Sequence, residues 1–251
     1  MLFVDTHNVN LATKKFVIFT NISVLLFFLC LDIDQGEKVF STNNATDIRT
    51  LPPELTGARV LTPPTIFDIT SNDSLKLTDF TVSAWFRTFN TDIDNAGQHF
   101  IVNKGGSGDE SPGFNLNYGI WMDNQHRIRA GFEAPSGEDA HLKTNQSFND
   151  FRWHNAVLRH NGTMLNLYID GTKAHSGVFE IQPDNTGNQH VTIGANSLRF
   201  KDFFYGDIDE VRVFNSALSD SQIQQLFNLT YFELPDPVLY KSFGKLNNNK
   251  S

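Results

Sequence analysis

Cysteine is almost absent from this sequence of 251 residues. The single one, Cys30, cannot form a disulfide within the chain, and zinc sites built from several cysteines are excluded. Basic residues are also scarce, because 20 Lys and Arg stand against 28 Asp and Glu, giving a net charge of −8. A nucleic-acid-binding domain needs a basic surface, so we predict that the protein has no nucleic-acid partner.

Aromatic residues, in contrast, make up 12% of the chain and include 23 Phe. This content excludes a disordered protein, whose composition is poor in large apolar side chains. The length is compatible with one large β domain or with two small domains.

The longest hydrophobic run lies near the start of the sequence. Lys14 and Lys15 precede residues 16–31, of which 13 of 16 are apolar. A basic segment followed by such a run is typical of a secretory signal, and the run is slightly short for a spanning helix of about 20 residues. The run contains no small-residue cleavage site, so we interpret 1–31 as a hydrophobic helix that is a signal peptide or an uncleaved signal anchor. A buried core helix is the alternative. The interpretation places the protein outside the cell, secreted or anchored at the cell surface.

Composition divides the rest of the chain into three parts. Residues 32–64 are polar and proline-punctuated, which is typical of an extended linker. Residues 65–230 carry the strand patterns of a folded domain. Residues 231–251 end in an Asn-rich stretch, and we predict a flexible tail there.

Alternating hydrophobicity predicts strands in the central part. In 81–87, Val82, Ala84 and Phe86 lie on one face. A second strand over 153–159 is followed by an Asn-Gly pair at 161–162, the strongest short hairpin signal, and by a return strand over 164–169. Asp170-Gly171 supplies the next turn.

Further strand patterns are short, and one helix pattern follows them. Residues 191–194 and 211–214 are β-branched runs. Ser219 with Gln222 three residues later forms a capping box, and the stripe of Ile223, Leu226 and Phe227 predicts a short amphipathic helix. Many short strands separated by turn signals indicate an all-β sandwich or barrel.

Four sequence blocks identify a family resemblance. They are FTVSAWF at 80–86, WHNAV at 153–157, LYIDG at 167–171 and GDIDEVRVF at 206–214, the last followed by Ala-Leu-Ser at 217–219. In this order and spacing they resemble laminin-G-like jelly-roll domains of the concanavalin A-like lectin/glucanase superfamily, over about 65–227. The resemblance implies two packed antiparallel sheets with jelly-roll topology.

The resemblance also implies a calcium ion as cofactor, with Asp209 as the first candidate ligand and Asp207 as the second. Glucanases of the superfamily use paired carboxylates on one strand. Asp207 and Asp209 are the nearest equivalent here, but the leading Glu of the glucanase pattern is missing, so we predict that the protein is not an enzyme.

Sugar-binding composition occurs in two segments, 115–124 and 196–205, which combine aromatic rings with amide and carboxylate groups. From the first segment we take Asn117, Tyr118 and Trp121 as candidate ligand-binding residues. Tyr118 and Trp121 fall on opposite faces of an alternating strand, so at most one of them is exposed.

These observations favour a non-catalytic extracellular recognition or adhesion module, which binds a glycan or an extracellular protein with the assistance of calcium. If 16–31 is not cleaved, the membrane is a further partner. Two alternatives remain open at this point: a glycoside hydrolase or lyase of the same superfamily, and a structural module of the cell envelope.

Overall fold

The computed structural model of the protein describes residues 59–61, 66–88, 97–106, 111–197, 202–230 and 234–243. These residues form thirteen β-strands, one short 3₁₀ turn at Asp73–Leu75 and one α-helix. The predicted hydrophobic helix within 1–31, and most of the predicted linker, lie outside the described residues.

Seven strands form one antiparallel sheet, which we call sheet A, in the order β1-β12-β3-β8-β9-β10 with β13 also pairing β12. Its strands are β1 (Arg59–Leu61), β3 (Phe80–Thr88), β8 (His154–Asn161), β9 (Met164–Ile169), β10 (Thr172–Val178), β12 (Gly206–Phe214) and β13 (Leu239–Lys241).

The other six strands form a second antiparallel sheet, sheet B, in the order β2-β11-β4-β5-β6-β7. Its strands are β2 (Phe67–Ile69), β4 (Gln98–Lys104), β5 (Tyr118–Asp123), β6 (Arg127–Glu133), β7 (Asp139–Ser147) and β11 (Val191–Ile193). The all-β sandwich expected from the sequence is confirmed.

The main core lies between the two sheets and follows the predicted alternation. Val82, Ala84 and Phe86 of β3 point inward together with Leu165 and Leu167 of β9. Each fully buried Val, Leu or Phe side chain adds about 1.5–3 kcal/mol of hydrophobic stabilisation.

The hairpins obey the expected turn chemistry. Gly162 has φ +63° in the β8–β9 turn, and the next turn has Asp170 at φ +50° followed by Gly171 at φ +72°. In the β9–β10 turn, left-handed conformations at both central positions match the twist of a two-residue hairpin, and Asp and Gly tolerate them. In the β8–β9 turn Asn161 pairs with Met164, so the central residues are Gly162 and Thr163, and only Gly162 is left-handed.

A bulge in β12 sets which of its side chains face the core. The register with β3 shifts between Asp209 and Arg212, and Glu210 adopts φ +51°. Because of this extra residue, Ile208 and Val211 both point into the core although they are three residues apart.

The helix α1 (Asp220–Phe227) begins as predicted. Ser219 caps it by accepting a hydrogen bond from the Gln222 backbone, and the Gln222 side chain accepts one from the Ser219 backbone N–H. Ile223 and Leu226 are its buried residues, which confirms the predicted stripe at those positions.

Two strands lie where the sequence predicted a linker and a flexible tail. β1 falls within 32–64 and β13 within 231–251, and both pair antiparallel with the same edge of β12. β13 runs along Val213 to Val211, and β1 continues along Ile208 to Gly206. The prediction was wrong for these residues because three-residue strands without a hydrophobic alternation depend on a distant partner.

Candidate functional site

The outer face of sheet A is covered by the helix. Val157, Tyr168 and Phe214 of this face pack against the helical residues Ile223 and Leu226. Asp220 ties the helix start to the sheet, because it accepts hydrogen bonds from Arg159 Nη1 and from the Tyr168 hydroxyl, each at 2.7 Å. This part of the sheet is therefore not open to a ligand.

A second contact extends the covering of sheet A. The Trp85 ring stacks on Phe227 at 5.7 Å, and Trp153 packs into the same cluster. The Arg87 guanidinium lies 5.2 Å from the Trp153 ring. Trp153 is buried, at 9% exposure.

The outer face of sheet B is arranged differently. Strand register places two rows of side chains on this outer face. The row between them points into the core and consists of Val102, Ile120, Ala130 and Leu142. The first row is Phe100, Trp121, Arg129 and Lys143, and the second is Thr192, Asn103, Gly119, Gly131 and His141. Within the described residues, the one α-helix packs on the other sheet.

Trp121 lies at the centre of this outer face. Its ring packs 5.6 Å from Phe100 and 6.3 Å from His141, and Leu116 completes the cluster with Phe100. The side chain is only 5% exposed, and its indole Nε1 has no hydrogen-bond partner among the described residues. The Oδ1 atom of Asn103 and the Oγ1 atom of Thr192 are also buried without a partner.

Three cations gather at one end of the same face. Asp123 Oδ2 accepts hydrogen bonds from Arg127 Nε at 2.9 Å and from Arg129 Nε at 3.3 Å. Burial opposes ionisation of Asp123, but the hydrogen bonds from Arg127 and Gln125 outweigh it and hold its pKa below the usual value. Lys143 lies directly opposite Arg129, and within the described part of the chain its ammonium group has no acidic partner.

His141 borders this cluster and is exposed. Burial of part of its ring, together with the positive charges of Arg129 and Lys143, lowers its pKa, and Asp139 opposes the shift only in part. The imidazole is therefore neutral at pH 7 and presents one donor and one acceptor.

The three predicted ligand-binding residues are separated by the fold. Tyr118 is fully buried in the core, and burial raises the pKa of its hydroxyl. Asn117 accepts from the Leu77 backbone N–H at 3.1 Å and donates to the Leu77 carbonyl at 2.8 Å, which makes it a bridge between two loops. Only Trp121 lies on an outer face, so Tyr118 and Asn117 do not form the predicted sugar platform. The prediction that Tyr118 and Trp121 point to opposite faces is confirmed.

The two predicted metal ligands are both buried, at 1% and 0% exposure. Asp207 Oδ2 binds Arg87, with Nε at 3.0 Å and Nη2 at 2.5 Å. Asp209 Oδ1 accepts from the backbone N–H groups of Glu210 and Phe243, each at 2.8 Å. Burial raises the pKa of Asp207 to about 6, against the effect of Arg87, and burial also raises the pKa of Asp209.

A calcium ion is surrounded by oxygen ligands. Asp209 receives hydrogen bonds from two backbone N–H groups and from the Ser242 side chain, and Asp207 receives them from the Arg87 guanidinium. The other oxygen of each carboxylate, Asp207 Oδ1 and Asp209 Oδ2, is buried without a hydrogen-bond partner among the described residues. Across the described ranges, we find no group of three or more His, Cys, Asp or Glu side chains that could hold a metal. Calcium binding by this protein stays a prediction.

Lys104 is a buried residue whose structural role the sequence analysis missed. It ends β4, and its Nζ donates to the carbonyls of Gly187 at 3.1 Å and Gln189 at 2.8 Å. Burial lowers its pKa to about 8, with a smaller effect from Lys76. The available signal was a lysine that lies two residues after the apolar run at 100–102.

His154 forms the other polar cluster that the sequence did not reveal. Its Nδ1 lies 2.8 Å from Asp170 Oδ2, and its Nε2 lies 3.1 Å from Asp150 Oδ1. Burial opposes the charge of His154, but the hydrogen bonds to Asp170 and Asp150 outweigh it and raise its pKa. The His154 side chain connects the loop before β8 to the β9–β10 turn.

None of the helices in the described part of the chain has the length and hydropathy needed to cross a membrane.

Comparison with solved structures shows the same fold in binding proteins. The binding domain of Paraclostridial Mosquitocidal Protein 1 matches with a TM-score of 0.53 and 18% identity, over 69% of this chain and 46% of that one. A candidate carbohydrate-binding protein from Bacteroides ovatus matches with a TM-score of 0.58 and 15% identity, over 76% of this chain and 52% of that one. This chain thus spans about half the length of both.

A third match covers nearly the whole of a smaller protein. The CBM40 domain of the Ruminococcus gnavus IT-sialidase matches with a TM-score of 0.55 and 13% identity, over 70% of this chain and 97% of that domain. Structures of that domain contain α2,6 and α2,3 sialyllactose. No curated protein matches this sequence.

The family model Laminin_G_3, of the concanavalin A-like lectin/glucanases superfamily, matches residues 67–224. This range includes the four sequence blocks and the strands β2 to β12. The chain therefore belongs to the concanavalin A-like lectin/glucanase superfamily, in its laminin-G-like branch.

Proposed function

We propose that the domain is a non-catalytic glycan-binding module, and that its ligand lies on the outer face of sheet B. One observation carries the proposal: α1 packs on the outer face of sheet A, whereas the outer face of sheet B presents an exposed imidazole, and a lysine that has no acidic partner among the described residues, beside Trp121. Trp121 Nε1, the Lys143 ammonium and the exposed His141 ring all lie within two adjacent rows.

Sugars suit such a surface because their hydroxyls both donate and accept hydrogen bonds. Hydrogen bonds to charged groups contribute about 1.5–3 kcal/mol each, enough to orient a ligand on a shallow face. The fold shared with carbohydrate-binding proteins supports the same proposal, although fold alone does not determine function.

The alternative of a glycoside hydrolase has less support. Its nearest carboxylate pair, Asp207 and Asp209, lies on the outer face of the other sheet and is almost completely buried. Asp207 is also occupied by Arg87, so neither residue is placed to act on a sugar in a groove.

The extracellular location is part of the proposal and rests on Lys14, Lys15 and the apolar run that follows them. Secretion can be tested by fusing residues 1–64 to a reporter protein. Export of the reporter would support the location, and retention inside the cell would contradict it.

Binding can be tested by probing an array of oligosaccharides with the full chain. We expect a subset of glycans to bind, and we expect His141→Ala to weaken that binding. Thr163→Ala, in the exposed β8–β9 turn, is the matched control and should bind like the wild type. Absence of binding to any glycan, or binding that His141→Ala leaves unchanged, would contradict the proposed site.

A further inference from the structure

Arg129 and Lys143 stand directly opposite each other on the neighbouring strands β6 and β7. Two like charges in directly opposed positions destabilise a sheet. Trp121 lies opposite Arg129 on its other side, so one continuous row contains an indole, a guanidinium and an ammonium group.

The nearby acids do not neutralise this row. Asp123 is shared between Arg127 and Arg129, so a single carboxylate serves two guanidinium groups. Glu133 and Asp139 lie opposite each other at the other end of the same strands. The positive end of the face is thus separated from its negative end along β6 and β7.

The cluster is exceptional for this chain, whose net charge is −8. An overall negative charge repels large polyanions at long range, while a local cationic patch still attracts a small anionic group. The Arg129 side chain is 29% exposed, and Lys143 is partly exposed, so an incoming anion can reach both.

From this arrangement we infer that the ligand is an acidic glycan, whose carboxylate or sulfate group binds between Arg129 and Lys143 next to Trp121. The inference rests on the proposed glycan-binding function and names the class of glycan. Arginine suits a carboxylate or sulfate because its planar N–H groups donate in parallel, and the ammonium group of Lys143 adds a point charge. The anion would also relieve the repulsion between the two cations.

The test uses the full chain and pairs of oligosaccharides that differ only in one acidic group. Sialyllactose is compared with lactose, and uronic-acid and sulfated oligosaccharides are compared with their neutral counterparts. We expect at least one acidic member to bind about tenfold or more tightly than its neutral counterpart, as a charge-assisted hydrogen bond implies. Binding should weaken with added salt.

Variants then locate the anion. Arg129→Gln and Lys143→Gln should each remove the preference for the acidic member, without abolishing weak binding of the neutral sugar. Lys241→Gln, on β13 of the other sheet, removes the same charge and should keep the preference. Circular dichroism confirms that each variant is folded.

The outcomes separate this inference from the proposed function. If neutral glycans bind as tightly as acidic ones, the inference fails and the proposed function stands. If none of the glycans bind, both fail. If vesicles containing phosphatidylserine bind the Arg129 and Lys143 patch while all glycans fail, a lipid headgroup replaces the glycan and both statements are overturned.

Discussion

Asp209 accepts a hydrogen bond from the backbone N–H of Phe243 at 2.8 Å, although the two residues are 34 positions apart in the sequence. The bond holds the end of β13 against β12. The Phe243 ring continues the contact, because it packs 4.4 Å from Phe67 of β2. The segment 234–243 is therefore part of the folded domain.

We predict that a chain ending at residue 233 is less stable than one ending at 243. The shorter chain loses the Phe243 packing and the hydrogen bond from Tyr240 to Glu210. Loss of the buried Leu239 together with the partly buried Phe243 costs about 3 kcal/mol, which corresponds to roughly 6–12 °C in Tm. Thermal melting measures the difference, and equal Tm values for the two chains would contradict the role of β13.

Truncation at residue 233 also exposes the edge of β12 that β13 covers in the longer chain. An unpaired strand edge is a template for association with another chain. The chain ending at 233 should elute partly as oligomers in size-exclusion chromatography, while the chain ending at 243 remains monodisperse at the same concentration.

The His154 cluster predicts a pH-dependent stability. The folded-state pKa of His154 is raised above its unfolded value of about 6.5, so the contribution is fully present below that value and is lost as the pH rises through the folded-state pKa. His154→Gln should therefore cost more at about pH 5.5 than at about pH 8.5. Denaturant unfolding at both pH values measures this cost. An equal cost at both would show that the imidazole is neutral in the folded protein.

Asn117→Ala should destabilise the fold without a direct effect on ligand binding. The change leaves the backbone N–H and carbonyl of Leu77 buried without their partner, at a cost of about 1–3 kcal/mol for each unsatisfied group. Asn124→Ala, in the exposed β5–β6 turn, is the matched control and should be neutral. If Asn117→Ala instead abolished glycan binding in a chain of unchanged stability, Asn117 would be a ligand-binding residue after all.

The helix cap provides a prediction with an internal control. Ser219→Ala removes the oxygen that accepts from Gln222 and should cost about 1 kcal/mol, while Ser219→Gly at the same position should cost only a few tenths. Chemical denaturation of the two variants distinguishes them. A larger loss for Gly than for Ala would mean that the capping bond is not what stabilises α1.

The response to calcium can be compared between the wild type and Asp209→Asn. Because Asp209 Oδ1 already accepts two backbone N–H hydrogen bonds, and Asp207 is bound by Arg87, we expect the Tm change on addition of calcium, whatever its size, to be the same in both proteins. A rise in the wild type that Asp209→Asn lacks would instead support the metal ligand that the family resemblance implied.

The sequence predicted local features well. The Asn161-Gly162 and Asp170-Gly171 turns, the strand over 164–169 and the capping box at Ser219 each depend on residues within a few positions. Alternation also placed Tyr118 and Trp121 on opposite faces correctly. It could not say which face is the core, because that depends on which sheet packs against β5.

The polar clusters could not be predicted from the sequence because they depend on contacts between residues that are distant in the chain. Asp123 with Arg127 is local, but Arg129 and Lys143 meet only through the register of β6 and β7. His154 meets Asp170 only because β8 and β9 form a hairpin. Likewise, the Arg87 that binds Asp207 is 120 residues away in the sequence, so the sequence pattern around the two aspartates pointed to a metal.

The positions of β1 and β13 on β12 have a topological consequence. Lys241 lies opposite Val211 and Arg59 lies opposite Ile208, so the end of the last strand points at the start of the first across roughly 10 Å. The C-terminal end of β13 therefore lies near the N-terminal end of β1. A short linker from 243 to 59, combined with new termini opened at the 161–162 turn, should give a circular permutant in which the two short strands become one continuous edge.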